Sequence, residues 1–181
     1  DGIDLALAPG VVTAIIGPNG AGKSMLLKVL AGELAPSAGR VLLDGHDLRS
    51  FSPAALARRR AVVPQATSLS FPFTVIEVVR LGASVPGFDS IDSRVNWLAE
   101  QVLRAVDLEG FDGRLYGELS GGEKQRVHIA RALCQLEAAR RDAGEAAVLM
   151  LDEPTSSRDL AHQARVLDEA RRQAGLGRAV V

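Results

Sequence analysis

Eight residues, 17–24, limit the fold of this chain more than any other part of its sequence. They read Gly-Pro-Asn-Gly-Ala-Gly-Lys-Ser and match the phosphate-binding loop pattern G-x-x-x-x-G-K-[ST]. The apolar run 11–16 precedes the loop like a buried strand, and residues 23–31 follow it with the apolar spacing of a helix. In this order, backbone N–H groups and the positive end of a helix dipole surround one anion. The sequence therefore predicts an α/β fold built around a phosphate site.

The loop residues have the chemistry that nucleotide phosphates need. Lys23 would neutralise the β and γ phosphates, and the Ser24 hydroxyl would bind Mg²⁺. Glycines allow successive backbone N–H groups to turn inward around phosphate oxygens. We therefore predict that ATP contacts a run of consecutive residues, namely Gly17, Pro18, Asn19, Gly20, Ala21, Gly22, Lys23, Ser24 and Met25.

Two carboxylates end a second apolar run. Residues 147–151 read Ala-Val-Leu-Met-Leu and predict a buried strand, and Asp152 and Glu153 follow it directly. An acidic residue at the end of a strand is weak information by itself. Beside a phosphate-binding loop, we predict that Asp152 holds the magnesium shell and that Glu153 is the general base that deprotonates the attacking water.

The pattern along the chain predicts one domain with a helical insertion. Runs 5–8 and 11–16 flank Pro9-Gly10 and predict an antiparallel hairpin, and Asp44-Gly45 predicts another. Residues 66–136 carry helical apolar spacing instead. We predict a single domain over 1–181, in which 1–65 and 137–181 form an α/β core and 66–136 form a helical lobe.

Composition limits the partners. The chain has 21 basic and 22 acidic residues and a net charge of −1, so we predict no nucleic-acid partner. The longest apolar runs have the length of strands, whereas a bilayer-spanning helix needs about 18 apolar residues or more. The three histidines show no metal-ligand spacing, and we expect surface or packing roles for His46, His128 and His162.

A second anion-binding helix start lies at residues 119–123, which read Leu-Ser-Gly-Gly-Glu. Ser120 and Glu123 form a capping box, and Gly121 and Gly122 expose backbone N–H groups at the start of a predicted helix. One nucleotide needs only one such cradle. The segment resembles the signature motif of the ABC ATPases, and Lys124-Gln125-Arg126 continues the resemblance.

The resemblance implies an ATP-hydrolysing P-loop NTPase (RecA-like) core with an N-terminal antiparallel β hairpin region and an inserted helical lobe. It also implies that a second copy of the chain docks head to tail. The ATP held by one copy would then contact Ser120, Gly121, Gly122 and Glu123 of the other copy.

Further positions match the family pattern. Gln65 resembles the glutamine that reaches the metal and the catalytic water, so we add it to both the catalytic and the magnesium-binding residues. Residues 154–159 are similar to the segment that crosses the dimer interface, although Arg158 departs from the apolar residue usual there. The chain begins at Asp1 and stops at Val181, and we expect both ends to be cut. The family's adenine-stacking aromatic and γ-phosphate histidine would then lie outside it.

Within the family, the loop wording and the stretches 60–65 and 71–82 are most similar to importers of iron chelates, haem and cobalamin. Residues 134–145 and 159–163 are similar to haemin-import ATPases and favour that cargo. The resemblance implies transmembrane permease subunits as partners and, through them, a substrate-binding protein. It places the subunit peripherally, on the cytoplasmic side of the inner membrane.

Two other classes keep some of these motifs. A soluble ABC ATPase of iron-sulfur cluster assembly stays open as the alternative, whereas a DNA-repair member needs a long coiled coil where only residues 66–118 lie. A binding module that does not hydrolyse ATP is expected to lack the general base, and Glu153 is present.

Overall fold

The computed structural model describes residues 2–65, 71–84, 93–139, 147–153 and 160–181, with no side chains described at 160–162. Helices and strands alternate in the first and last parts of the chain, and helices alone occupy the middle. In chain order the elements are α1 (Lys23–Leu30), β1 (Leu42–Leu43), β2 (His46–Asp47), α2 (Pro53–Arg59), β3 (Arg60–Val63), α3 (Val75–Arg80), α4 (Ser93–Ala105), α5 (Gly121–Ala138), β4 (Val148–Leu151), α6 (Leu160–Gly175) and β5 (Ala179–Val180).

Three parallel strands form the centre of the core in the order β3-β4-β5. Both faces of this sheet are covered, so β4 is apolar at every position, as expected for a parallel sheet. Leu149 packs into the larger hydrophobic cluster with α5 and α6, whereas Val148 and Met150 pack with Leu27 of α1. The end of β4 that carries Asp152 therefore lies next to the start of α1.

The helical lobe contains α3, α4 and the first part of α5. Both capping boxes predicted from the sequence are present, at Thr74 with Glu77 and at Ser120 with Glu123. Gly82 lies so close to α5 that an added Cβ would be 2.1 Å from the carbonyl oxygen of Arg131. Only glycine allows this approach, which fixes α3 against α5.

The predicted turn at Asp44-Gly45 is confirmed. Asp44 and Gly45 have φ angles of 50° and 79°, as the tightest hairpin turns require, and β1 pairs antiparallel with β2 around them. The predicted α/β core with an N-terminal antiparallel β hairpin region and an inserted helical lobe is confirmed. The exact division at 1–65, 66–136 and 137–181 stays a prediction.

The first predicted hairpin is wrong. Residues 5–8 and 11–16 form no antiparallel ladder. The backbone bond described between them closes a turn, from the N–H of Val11 to the carbonyl of Ala8 at 3.3 Å, and Val12 forms a parallel bridge with Val180. The N–H of Thr13 donates to the carbonyl of Val180 at 2.8 Å, and the N–H of Val180 donates to that of Val11 at 3.0 Å. The edge of β5 thus satisfies the backbone groups that the local hairpin would have paired, and this parallel path leads into the phosphate-binding loop.

Among the described residues, no helix has the length and apolar character needed to cross a membrane.

Candidate functional site

The phosphate-binding loop joins residues 11–16 to α1. Gly20 and Gly22 have φ angles of 81° and 90°, in the left-handed region that a side chain disfavours. Gly22 is the N-cap of α1, and no side chain caps this helix start. The backbone donors of the first turn are therefore available to an anion, and the helix dipole favours one there.

Lys23 turns back over its own loop. Its ammonium donates to the carbonyls of Gly17 and Pro18, both at 3.0 Å, and lies 3.6 Å from Oε1 of Glu153. One cation thus sits between the loop and the end of β4. A bound phosphate would compete with these oxygens for the same charge.

Ser24 and Asp152 meet across the same space. The Ser24 hydroxyl donates to Oδ1 of Asp152 at 2.8 Å, and the N–H of Asp152 donates to the carbonyl of Val63 at 2.9 Å. A hydroxyl and a carboxylate are hard oxygen ligands, and Mg²⁺ commonly takes one or two such ligands and completes its shell with phosphates and water. These two side chains therefore fit a magnesium ion that a nucleotide shares. Among the described residues, no group of three or more His, Cys, Asp or Glu side chains could hold a metal alone.

Gln65 and Glu153 complete this cluster from two strand ends. The Gln65 amide donates from Nε2 to Oε2 of Glu153 at 2.6 Å, which links the end of β3 to the end of β4. Glu153 has a φ of 46°, uncommon for a residue with a side chain. Such backbone strain is often found at functional sites. The structure thus brings together five predicted site residues: Lys23, Ser24, Gln65, Asp152 and Glu153.

Met25 and the signature segment, defined as residues 119–123, have no described contact with these five residues. Met25 is 64% exposed beside the loop. Ser120 caps α5, since its hydroxyl accepts the N–H of Glu123 at 3.3 Å and the Glu123 carboxylate accepts the N–H of Ser120 at 2.7 Å. Hydrogen bonds from Ser120, helped by Arg114, lower the pKa of Glu123. The side-chain hydrogen bonds and the ion pair described for Ser120 and Glu123 join them to each other and to Arg114.

The predicted interface segment 154–159, including Asp159, lies outside the described residues. The structure adds two features that the sequence reasoning missed. The first is a buried pair between Tyr116 and His128, for which the only signal was a histidine between the apolar residues Val127 and Ile129. The second is a cavity.

The cavity has a volume of about 390 Å³ and lies where α1, α2 and α5 meet. Its walls are largely apolar, with Leu34, Leu48 and Phe51 among them, and Arg60 also lines it. The Nε atom of Arg60 is buried without a hydrogen-bond partner among the described residues. Burial lowers the pKa of Arg60, and the charge of Glu33 opposes that shift. The cavity therefore combines largely apolar walls with an arginine whose Nε atom is buried without a hydrogen-bond partner among the described residues, and Asp47 also lines it.

These features define a nucleotide-binding protein of the phosphate-loop class. The profile of the family described as ABC transporter matches residues 1–156. The chain belongs to the ABC transporter family. It is an ATP-binding and ATP-hydrolysing subunit of that family, as the sequence predicted, and such subunits associate peripherally with the membrane through permease partners. The roles of individual residues, and the magnesium ion, stay predictions.

Relatives agree with this assignment. The chain is 52% identical over 180 residues to the hemin import ATP-binding protein HmuV of Rhizobium meliloti (strain 1021). The aligned region covers 99% of this chain and 68% of that protein. It thus spans about two thirds of the relative's length. A solved structure described as a metal-chelate type ABC transporter in an inward-facing conformation has a TM-score of 0.73 and 30% identity, over 96% of this chain and 62% of that one. A nucleotide-free ATP-binding cassette from an ABC transporter has a TM-score of 0.81 and 26% identity, over 99% of this chain and 72% of that one.

Proposed function

We propose that the cluster at the ends of β3 and β4 hydrolyses ATP with Mg²⁺. The observation that carries this proposal is that Lys23, Ser24, Gln65, Asp152 and Glu153 come from three separate parts of the sequence and meet within hydrogen-bond or ion-pair distance. Residues 17–25 would hold the phosphates. Ser24 and Asp152 would hold the magnesium ion, with Gln65 beside them, and the ion would neutralise charge on the β and γ phosphates.

The carboxylate of Glu153 has the role of general base. It accepts a proton from water as the water oxygen bonds to the γ phosphorus, and the bond from that phosphorus to the bridging oxygen breaks, leaving ADP and phosphate. Gln65 donates to one oxygen of Glu153 and leaves the other facing Lys23. The amide therefore orients the carboxylate and lies where it can also contact the attacking water.

A second copy of the chain would complete the site. The signature segment offers a capped helix start, exposed at Ser120 and Gly121, to which its own chain presents no phosphate. If each copy presents this segment to the ATP held by the other, two equivalent contacts form and the dimer closes with twofold symmetry.

The cavity beside Arg60 is where we place the permease. Its apolar walls and the Arg60 guanidinium, whose Nε atom has no hydrogen-bond partner among the described residues, suit a cytoplasmic segment of the permease that carries a carboxylate.

We expect Arg60→Glu to weaken assembly with the permease about tenfold or more, because it replaces attraction with repulsion at a partly buried position. Pull-down of the permease by the full-length variant measures this. Arg58→Glu, on the exposed side of α2, is the matched control. The placement would be contradicted if Arg58→Glu weakened assembly as much as Arg60→Glu. It would also be contradicted if Arg60→Glu bound ATP normally and still assembled normally with the permease.

The cargo that we propose is haemin, or another iron chelate, which a substrate-binding protein delivers to the permease and which is imported into the cytoplasm. The subunit lies peripherally on the cytoplasmic side of the inner membrane. The support is the 52% identity to a protein named for hemin import. We expect vesicles whose permease carries the full-length subunit on the inner face to accumulate haemin when ATP is enclosed with the subunit. Accumulation should stop when Glu153→Gln replaces the native chain. Transport of cobalamin or a ferric siderophore in place of haemin would show that the cargo is a different chelate. ATP hydrolysis with no transport of any of the three would favour the alternative, a soluble ABC ATPase such as one of iron-sulfur cluster assembly.

A further inference from the structure

A buried tyrosine and a buried histidine flank the signature segment in the chain and contact each other. Tyr116 and His128 are each 4% exposed, and the hydroxyl oxygen of Tyr116 is 2.7 Å from Nε2 of His128. Their rings are 5.5 Å apart with their planes at 71°, an edge-on arrangement that aromatic pairs favour. In chain order the pair brackets the segment, since Tyr116 precedes it and His128 is two turns into the helix that follows it.

Both groups are neutral near pH 7. Burial, helped by Arg131, lowers the pKa of His128 from its usual 6.5 to about 4. Burial also raises the pKa of Tyr116, against the opposing charge of Arg131. The contact is therefore a hydrogen bond between two uncharged groups, and its strength does not depend on a proton gained or lost at working pH.

Backbone bonds tie the chain before the signature segment to the rest of the helical lobe, and the Tyr116 side chain adds a link to α5. The N–H of Tyr116 donates to the carbonyl of Phe73, and the N–H of Val75 donates to that of Arg114, both at 2.9 Å. These bonds fix the chain before the signature segment to the entry of α3. The Tyr116 ring then reaches α5, where the Lys124 ammonium lies 5.6 Å from the ring centre and donates to the carbonyl of Gly117 at 3.2 Å.

Two other side chains anchor the segment itself: Leu119 is buried in the core, and Glu123 forms an ion pair with Arg114 at 3.7 Å. Within residues 115–121, only Tyr116 and Leu119 are buried. The capping box of Ser120 and Glu123 sets the local shape of the helix start, but both partners belong to that start and move with it. His128, by contrast, leaves Nδ1 buried without a hydrogen-bond partner among the described residues. A leucine would fill this apolar site without that cost, so packing alone does not explain the histidine.

We propose that Tyr116 and His128 are positioning residues for the ATPase reaction, which act by holding Ser120 and its neighbours in place for the ATP bound by a second copy. The inference rests on the proposed composite site. Neither residue contacts the nucleotide. Loss of their hydrogen bond loosens the signature segment and leaves the phosphate loop of the same chain intact, because that loop lies on other elements, at the start of α1.

The test uses the full-length chain carrying Glu153→Gln, so that bound ATP persists. Tyr116→Phe removes the hydroxyl and keeps the ring. We expect ATP-dependent association, measured by sedimentation, to weaken about tenfold, the order expected from one lost hydrogen bond. We expect the affinity of the monomer for ADP, measured by calorimetry, to stay unchanged, because ADP binding needs only the phosphate loop.

Two further variants separate positioning from stability. Tyr116→Phe with His128→Leu removes both partners of this hydrogen bond, so thermal stability should recover relative to Tyr116→Phe while association stays weak. Val102→Ala opens a cavity elsewhere in the same lobe and should lower thermal stability without weakening association. Association that recovers together with thermal stability, or that falls as much in Val102→Ala, would overturn the positioning role. If Tyr116→Phe fails to fold, the double variant alone decides.

Ser120→Ala distinguishes the failure of this inference from the failure of the composite site. If it leaves association unchanged, the composite site itself is wrong. If Ser120→Ala weakens association and Tyr116→Phe does not, the composite site is supported, and Tyr116 and His128 do not position it.

Discussion

Glu153→Gln is expected to bind ATP and to hydrolyse it 100- to 10,000-fold more slowly, the contribution usual for a general base. The amide cannot accept the proton of the attacking water. It can still accept the hydrogen bond from Gln65, so the local geometry should persist. The ion pair with Lys23 is lost, but both side chains are partly exposed and such pairs contribute only about 0–1 kcal/mol to stability.

Steady-state phosphate release from the full-length subunit with its permease measures this effect. Glu100→Gln, which makes the same chemical change on the exposed side of α4, is the control and should hydrolyse ATP normally. A Glu153→Gln variant with the turnover of the native protein would remove Glu153 from the mechanism.

Lys23→Ala is expected to weaken ATP binding about 100-fold, because charge-assisted hydrogen bonds to phosphate contribute roughly 1.5–3 kcal/mol each. The ammonium already lies within the loop, held by the carbonyls of Gly17 and Pro18 at 3.0 Å, so little reorganisation precedes its contact with phosphate. Lys28→Ala removes the same side chain from the exposed side of the same helix and should bind ATP normally. Calorimetry compares the two variants, and equal affinities would mean that Lys23 does not contact the phosphates.

Much of the site could be predicted because its residues lie in contiguous patterns with a local physical cause. The phosphate loop needs glycine where φ is positive, as at Gly20 and Gly22, and it needs a helix directly after it. The capping boxes at Thr74 and Ser120 are likewise set by residues three positions apart, and both were found as predicted.

What could not be predicted depends on contacts between distant residues. The pattern around Pro9-Gly10 predicts a local hairpin, but the backbone of residues 11–13 bonds to β5. This strand lies far along the chain, so no residue near 11 indicates the pairing. The bond between Tyr116 and His128 and the buried Nε of Arg60 likewise depend on how α5 packs. Apolar spacing assigns such residues to a packed face and says nothing about the polar partner that they meet there.

We propose that two copies of this chain enclose ATP between the phosphate loop of one and the signature segment of the other. Light scattering on full-length Glu153→Gln protein, with and without ATP and Mg²⁺, tests it most directly. We predict that ATP converts a monomer into a dimer holding one ATP per chain, and that ADP or Ser120→Ala prevents the conversion. A protein that binds ATP yet stays monomeric at high concentration, or that forms the same dimer without nucleotide, would contradict the claim.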